Sequence, residues 1–200
     1  PFQMILYEVV AYLVDDARRE RTWREFKKVV GAKTRPMDIL DADPDEILEA
    51  IKGGGLFPEL RVEKLRRAAR LCGDSFGGDL RPLLPRPLKK ARTGLKKFPG
   101  VADPGADRVF LYTRTARCLA LDSNSLRVLL RLGYGSMEGG YAAQYRSAQE
   151  AAAAELKPDY DWLIAASQLL RMHGQTLCTR SRPDCDRCPL AKACPSAELV

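Results

Sequence analysis

LKKFPGVADPGADRVF, residues 95–110, decides how this chain is read. A basic amphipathic helix runs into Pro99-Gly100, a short turn comes next, and a second helix begins. Such a turn aims successive backbone N–H groups, together with the positive N-terminus of the second helix, at a phosphate. It touches no base edge, so it positions a nucleic-acid backbone and specifies no sequence. Lys96 and Lys97 before the turn, Pro99 and Gly100 within it, and Gly105 beyond it, where glycine permits close approach, are the candidate contacts. The segment after the second helix strengthens the reading. LALDSNSLRVLLRLG, residues 119–133, opens a helix on Asp122, a position that suits either a helix N-cap or a working carboxylate.

The charge distribution points to the same kind of partner. The formal net charge is +7, and residues 81–97, RPLLPRPLKKARTGLKK, hold seven basic side chains and no acid. A second basic run, RVEKLRRAAR, spans 61–70. Two such runs, one leading straight into the turn, favour a polyanion over a pair of solvated helix faces. The 200 residues suffice for a real core without disulfide staples, and no apolar run approaches the roughly 20 residues a membrane helix needs. The longest, MILYEVVAYLV at 4–14, is broken by Glu8. No signal peptide is evident, which predicts a cytoplasmic protein without membrane association. The chain opens on Pro1 rather than Met, in keeping with a fragment or a trimmed chain.

Apolar residues recur three and four apart in 4–14, 23–30, 44–51, 60–71, 107–112, 125–132 and 160–172, which predicts an all-α fold. Asp43-Pro44 reads as an N-cap followed by proline at the first helical position. Gly174, after DWLIAASQLLRMH, stands where a helix C-cap takes glycine.

CTRSRPDCDRCPLAKAC, residues 178–194, crowds four of the six cysteines into the spacing C-x6-C-x2-C-x5-C. Thiolates held this close call for a soft metal or for oxidation. Cys178, Cys185, Cys188 and Cys194 suit a zinc ion or an iron–sulfur cluster, and the chemistry of four thiolates does not choose between them. Arg180 and Arg182 give the loop a positive edge that fits a phosphate contact. Cys72 and Cys118 lie in apolar, helix-patterned surroundings and read as buried, reduced core residues.

Together these stretches resemble the helix-hairpin-helix DNA glycosylases of the endonuclease III superfamily. The family's LPGVG-x-x-TA, followed by hydrophobic-Asp-x-Asn/His-x-x-R-V, stands here as FPGVADPGA and LDSNSLRV, and the four-cysteine spacing is the family's own. The resemblance implies a two-lobed all-α fold: residues 1–116 with the helix-hairpin-helix at about 90–112, then 117–200 carrying Asp122 at a cleft and the cysteine loop at 178–194. It implies a 4Fe–4S cluster on the four cysteines. It further implies that Asp122 is the essential carboxylate of a base-excision enzyme that flips a damaged or mismatched base from double-stranded DNA and hydrolyses its N-glycosidic bond. GGGLFPEL at 53–60 matches the family's wedge loop and offers Leu56 or Phe57. Glu8 matches a glutamate that is functional in some members, although a glutamate satisfied by a neighbouring residue explains it equally. Pro104 stands where bifunctional members carry their Schiff-base lysine, which predicts a monofunctional glycosylase with AP-lyase activity absent or weak. A monomer is expected, nucleoid-associated if the source is bacterial. The alternative is a catalytically weakened iron–sulfur protein that binds DNA lesions on the same scaffold.

Overall fold

The computed structural model describes residues 1–197 and is helical as expected: among the described residues there is no β-strand, only one isolated bridge between Tyr12 and Gly55. No helix among them is long and apolar enough to cross a membrane.

The first helix, α1 (Phe2–Val9), buries Phe2, Ile5, Leu6 and Val9, spaced three and four apart. The apolar run continues to Val14, but the helix does not. Val10, which caps the helix, and Ala11 beyond it are fully buried, and the Tyr12 amide donates to Gly54 O at 2.8 Å. A tertiary partner for that amide overrides local periodicity, so the helix expected over 4–14 is cut short. Asp15 then caps α2 (Asp16–Val30), its Oδ1 accepting from Arg18 N at 2.7 Å, and Asp16 occupies the first turn. The two acids near this loop therefore serve the positive end of a helix.

Next come α3 (Pro36–Asp41), α4 (Pro44–Ile51), α5 (Pro58–Phe76) and α6 (Leu88–Leu95). Asp43 caps α4 as its sequence signal predicts, accepting from Asp45 N at 2.8 Å. The helix α5 ends on Gly77 at φ +61°, with Gly78 N reaching back to Cys72 O at 2.9 Å. These helices enclose a core containing Phe26, Ile39, Ile47, Ile51, Leu65 and Phe98. Trp23 is buried there too, edge-on to Tyr7 at 5.6 Å, a packing role rather than a stacking platform.

The described chain divides into two compact units, Pro1–Val109 and the residues from Phe110 onward, with the division inside α7 (Asp103–Tyr112). The second unit is built on α8 (Ser123–Arg131), α9 (Tyr141–Ala152) and α10 (Tyr160–Thr176). Leu111, Leu119, Leu121, Leu126, Leu129, Tyr145 and Leu163 form its core. Trp162 packs partly buried against it.

Two local expectations change here. Cys118 lies in an irregular segment and is only half-buried, whereas Cys72 is a fully buried helical residue as expected. Gly174 is no C-cap, because α10 continues through it to Thr176. A Cβ at position 174 would sit 2.7 Å from the carbonyl oxygen of Asn124. Glycine is required there because α10 passes directly over the first turn of α8.

Candidate functional site

The turn between α6 and α7 is set by Phe98–Val101. Val101 N donates to Phe98 O at 3.1 Å, Pro99 takes the second place, and Gly100 the third at φ +80°. This is the type II arrangement, whose third residue must reach positive φ. A Cβ on Gly100 would meet nothing nearer than 3.9 Å, so its backbone angle, not crowding, demands glycine. Phe98, 2% exposed, anchors the turn by stacking on Phe76 at 5.7 Å and lying 6.5 Å from Phe2. Two ion pairs brace the helices on either side: Arg92 with Asp107 at 2.5 Å, and Lys96 with Asp103 at 2.9 Å. The Lys96 hydrogen bond holds the Asp103 carboxyl below its ordinary range. Lys96 thus has a partner that the sequence reading did not supply, while Lys97 and Gly100 are exposed and Pro99 and Gly105 half-buried.

Glu8 on α1 forms an ion pair with Arg108 on α7. It is the satisfied glutamate that the sequence left open.

Asp122 is delivered by a tightly held segment. Ala120 N donates to the buried Ser167 Oγ at 3.1 Å, and Gln149 Nε2 donates to Leu119 O at 2.6 Å. The carboxylate that emerges caps α8, with Oδ1 accepting from Ser125 N at 2.8 Å and from Ser125 Oγ at 3.0 Å. Its other oxygen, Oδ2, lies 3.1 Å from Arg171 Nε, and the side chain is 18% exposed. Capping and chemistry are compatible uses of one carboxylate: its orientation is fixed, its charge is compensated, and part of it still meets solvent. Sequence reasoning missed Arg171; a single cation on an otherwise apolar helical run was the available signal.

Arg127, inside the LDSNSLRV stretch, ties this region to the cysteine loop. Its Nη2 donates to Asn124 Oδ1 at 2.9 Å and to Gly174 O at 2.7 Å, and its Nε donates to Cys178 O at 2.9 Å. Arg131 donates to Cys178 Sγ at 3.3 Å and to Thr179 O at 2.8 Å. Arg180 and Arg182 also lend their carbonyls to the loop's folding, accepting from Arg131 and from Thr179 Oγ1.

Cys178, Cys185, Cys188 and Cys194 line one small, partly open cavity of about 30 Å³. All four are free thiols, and His173 Nε2 lies 3.6 Å from Cys188 Sγ. Desolvation, followed by the three neighbouring thiols, pushes Cys185 up from its ordinary pKa. Among the described residues no group of three or more His, Cys, Asp or Glu side chains is arranged to hold a metal ion. One zinc ion would draw four sulfurs to about 2.3 Å from one point. Four thiols lining one cavity are a donor set that fits either a zinc ion or an iron–sulfur cluster.

Two helices across a type II turn, an aspartate capping the helix that comes after them, and a four-thiol loop define a helix-hairpin-helix architecture. Known proteins agree with this. No protein-family model matches the chain. It is 30% identical over 166 residues to endonuclease III homolog 2, chloroplastic, of Arabidopsis thaliana, covering 81% of this chain and 40% of that protein. It is 24% identical over 194 residues to endonuclease III of Thermotoga maritima, covering 97% and 82%. In structure it matches endonuclease III in a non-covalent complex with DNA at a TM-score of 0.78 and 20% identity, over 100% of this chain and 85% of that one. The chain therefore spans about two fifths of the plant relative and about four fifths of the Thermotoga one. In sequence and in fold it is endonuclease III-like.

Proposed function

We propose that the protein is a base-excision DNA glycosylase that hydrolyses the N-glycosidic bond of a damaged or mismatched base in double-stranded DNA. The fixed, part-buried Asp122 carboxylate carries this reading. As the C1′–N bond breaks, its electron pair leaves with the base and positive charge grows on the deoxyribose. A pre-oriented carboxylate stabilises that charge. A water oxygen then bonds to C1′ and its proton passes to solvent or to the departing base; Asp122 is placed to orient that water. The turn at 98–101 and Lys97 supply backbone contacts, with Arg180 and Arg182 available along the cysteine loop.

Pro104 offers no amine, so the enzyme is monofunctional and leaves an abasic site uncut. The four cysteines hold a 4Fe–4S cluster, which keeps the 178–194 loop folded against α8 and α10; hydrolysis involves no redox step. The protein acts as a monomer.

The test is an Asp122→Asn variant beside the wild type on duplexes that each carry one lesion or mismatch, with half of each reaction treated with hot alkali. Cleavage only after alkali, lost in the variant, is expected and names the substrate. Cleavage without alkali would overturn the monofunctional assignment. Lesion binding with no cleavage under either condition would favour the lesion-binding alternative.

A further inference from the structure

Arg61, in the first turns of α5, is 3% exposed, yet its guanidinium is held by backbone carbonyls. Nη1 donates to Val10 O and, at 2.9 Å, to Ile51 O; Nη2 donates to Gly55 O and Nε to Leu56 O, both at 3.0 Å. Withdrawing a cation from water among neutral acceptors is costly, and burial lowers the Arg61 pKa. What the side chain gains is control of two loops, 10–14 and 53–57.

The loops share a seam. Tyr12 N meets Gly54 O at 2.8 Å, and Tyr12 bridges Gly55 in parallel register, so the two segments leave it in the same direction. Glycine makes the seam possible. A Cβ on Gly54 would lie 2.7 Å from both Arg61 Nη1 and Val10 O, and one on Gly55 would lie 2.1 Å from Tyr12 O. Beyond the seam, Leu13 and Phe57 adopt left-handed backbone at φ 56° and 55° while 72% and 60% exposed. Bulky side chains rarely take that conformation, and exposed ones repay none of its strain through burial.

Resting on the glycosylase reading, we infer that Arg61 is the positioning residue of a two-loop insertion element: it fixes the seam from which Leu13 and Phe57 project into a base stack. Apolar wedges of this kind unstack and kink a duplex, and they do so only if the backbone beneath them does not yield. A planar fork with five donors can bridge carbonyls from both loops at once, whereas a lysine ammonium in the same place keeps the charge but not the span.

The experiment compares wild type, Arg61→Lys, the double variant Leu13→Ala with Phe57→Ala, and the triple variant. Single-turnover excision is measured on a lesion in duplex DNA and on the same lesion in an unpaired strand. A second readout is the fluorescence of 2-aminopurine placed beside an abasic analogue in a duplex. We expect Arg61→Lys to slow duplex excision about tenfold or more and unpaired excision less than about threefold, because only the duplex must be opened. The triple variant should be no slower than the double, the mark of one shared device.

Equal losses on both substrates, additive losses in the triple variant, or an unchanged duplex rate would each overturn the inference. Should Arg61→Lys fail to melt cooperatively, the double variant decides: its side chains are exposed, and wild-type duplex excision by it would refute the insertion element. If the wild type excises nothing, the glycosylase reading fails separately. The 2-aminopurine signal then decides: a rise in wild type lost in Arg61→Lys supports the inference, and equal signals sink it.

Discussion

Replacing Gly174 with alanine should destabilise the protein, although in an ordinary helix interior the change stabilises. Alanine is favoured over glycine inside a helix by about 1 kcal/mol. Here the new methyl would lie 2.7 Å from Asn124 O and 2.9 Å from Asn124 C, both backbone atoms with no rotamer to escape through. Relieving the contact needs a shift of roughly 0.8 Å between α10 and α8, since ordinary contacts to carbon begin near 3.5 Å. Overpacking of this kind costs about 1–3 kcal/mol, so the balance is a net loss of up to about 2 kcal/mol. For a chain of this size that lowers the melting midpoint by up to roughly 8 °C. Activity should fall further than stability. Asn124 lies between Asp122 and Ser125, so displacing it tilts the carboxylate, and about 1 Å of misplacement can cost on the order of a hundredfold in rate. Circular-dichroism melting and single-turnover excision, run on the same preparation, check both parts. A Gly174→Ala protein that melts at or above the wild-type midpoint with an unchanged rate would refute the close-approach argument.

The Cys72 thiol is raised by burial from 9.0 to about 11, so its contribution to stability is complete below pH 9 and is lost as pH climbs through about 11. That interval corresponds to at most about 3 kcal/mol. The melting midpoint of Cys72→Ala should therefore fall less steeply between pH 9 and 11 than that of wild type, and parallel profiles would contradict this. Phe98→Ala removes the stack on Phe76 that seats the turn, and should cost about 3–5 kcal/mol by denaturant titration along with weaker binding of any duplex. A loss below about 1 kcal/mol would mean that the turn is held from elsewhere.

Much of this was legible in the sequence because the relevant physics is local. Helix periodicity, the Asp43-Pro44 start and the Pro99-Gly100 turn each depend on a few neighbouring residues, and the structure follows them. The N-cap reading of Asp122 was likewise legible, and its hydrogen bonds to Ser125 lie within one turn. What escaped was set by partners distant in sequence. The early end of α1 depends on Gly54, more than forty positions away. Gly174 has the composition of a cap and the job of a spacer, and only the passage of α10 over Asn124 tells them apart. Arg171, Arg127 and Arg61 have acceptors that no local pattern announces; Arg61 in particular sits within a basic run that reads as facing a polyanion, yet it is buried against backbone carbonyls.

The capping bonds of Asp122 also bear on how this position would respond to selection. Asparagine and serine cap helices nearly as well as aspartate, so either could replace it and keep the cap, with melting lowered only by loss of the Arg171 ion pair. Neither carries the negative charge that the proposed chemistry requires. A library sorted for robustness alone would thus drift silently toward inert sequences at position 122, and only a screen that scores base release would notice. The same tolerance is useful at the bench: an asparagine variant should be a well-folded decoy for capturing the protein on intact lesion DNA.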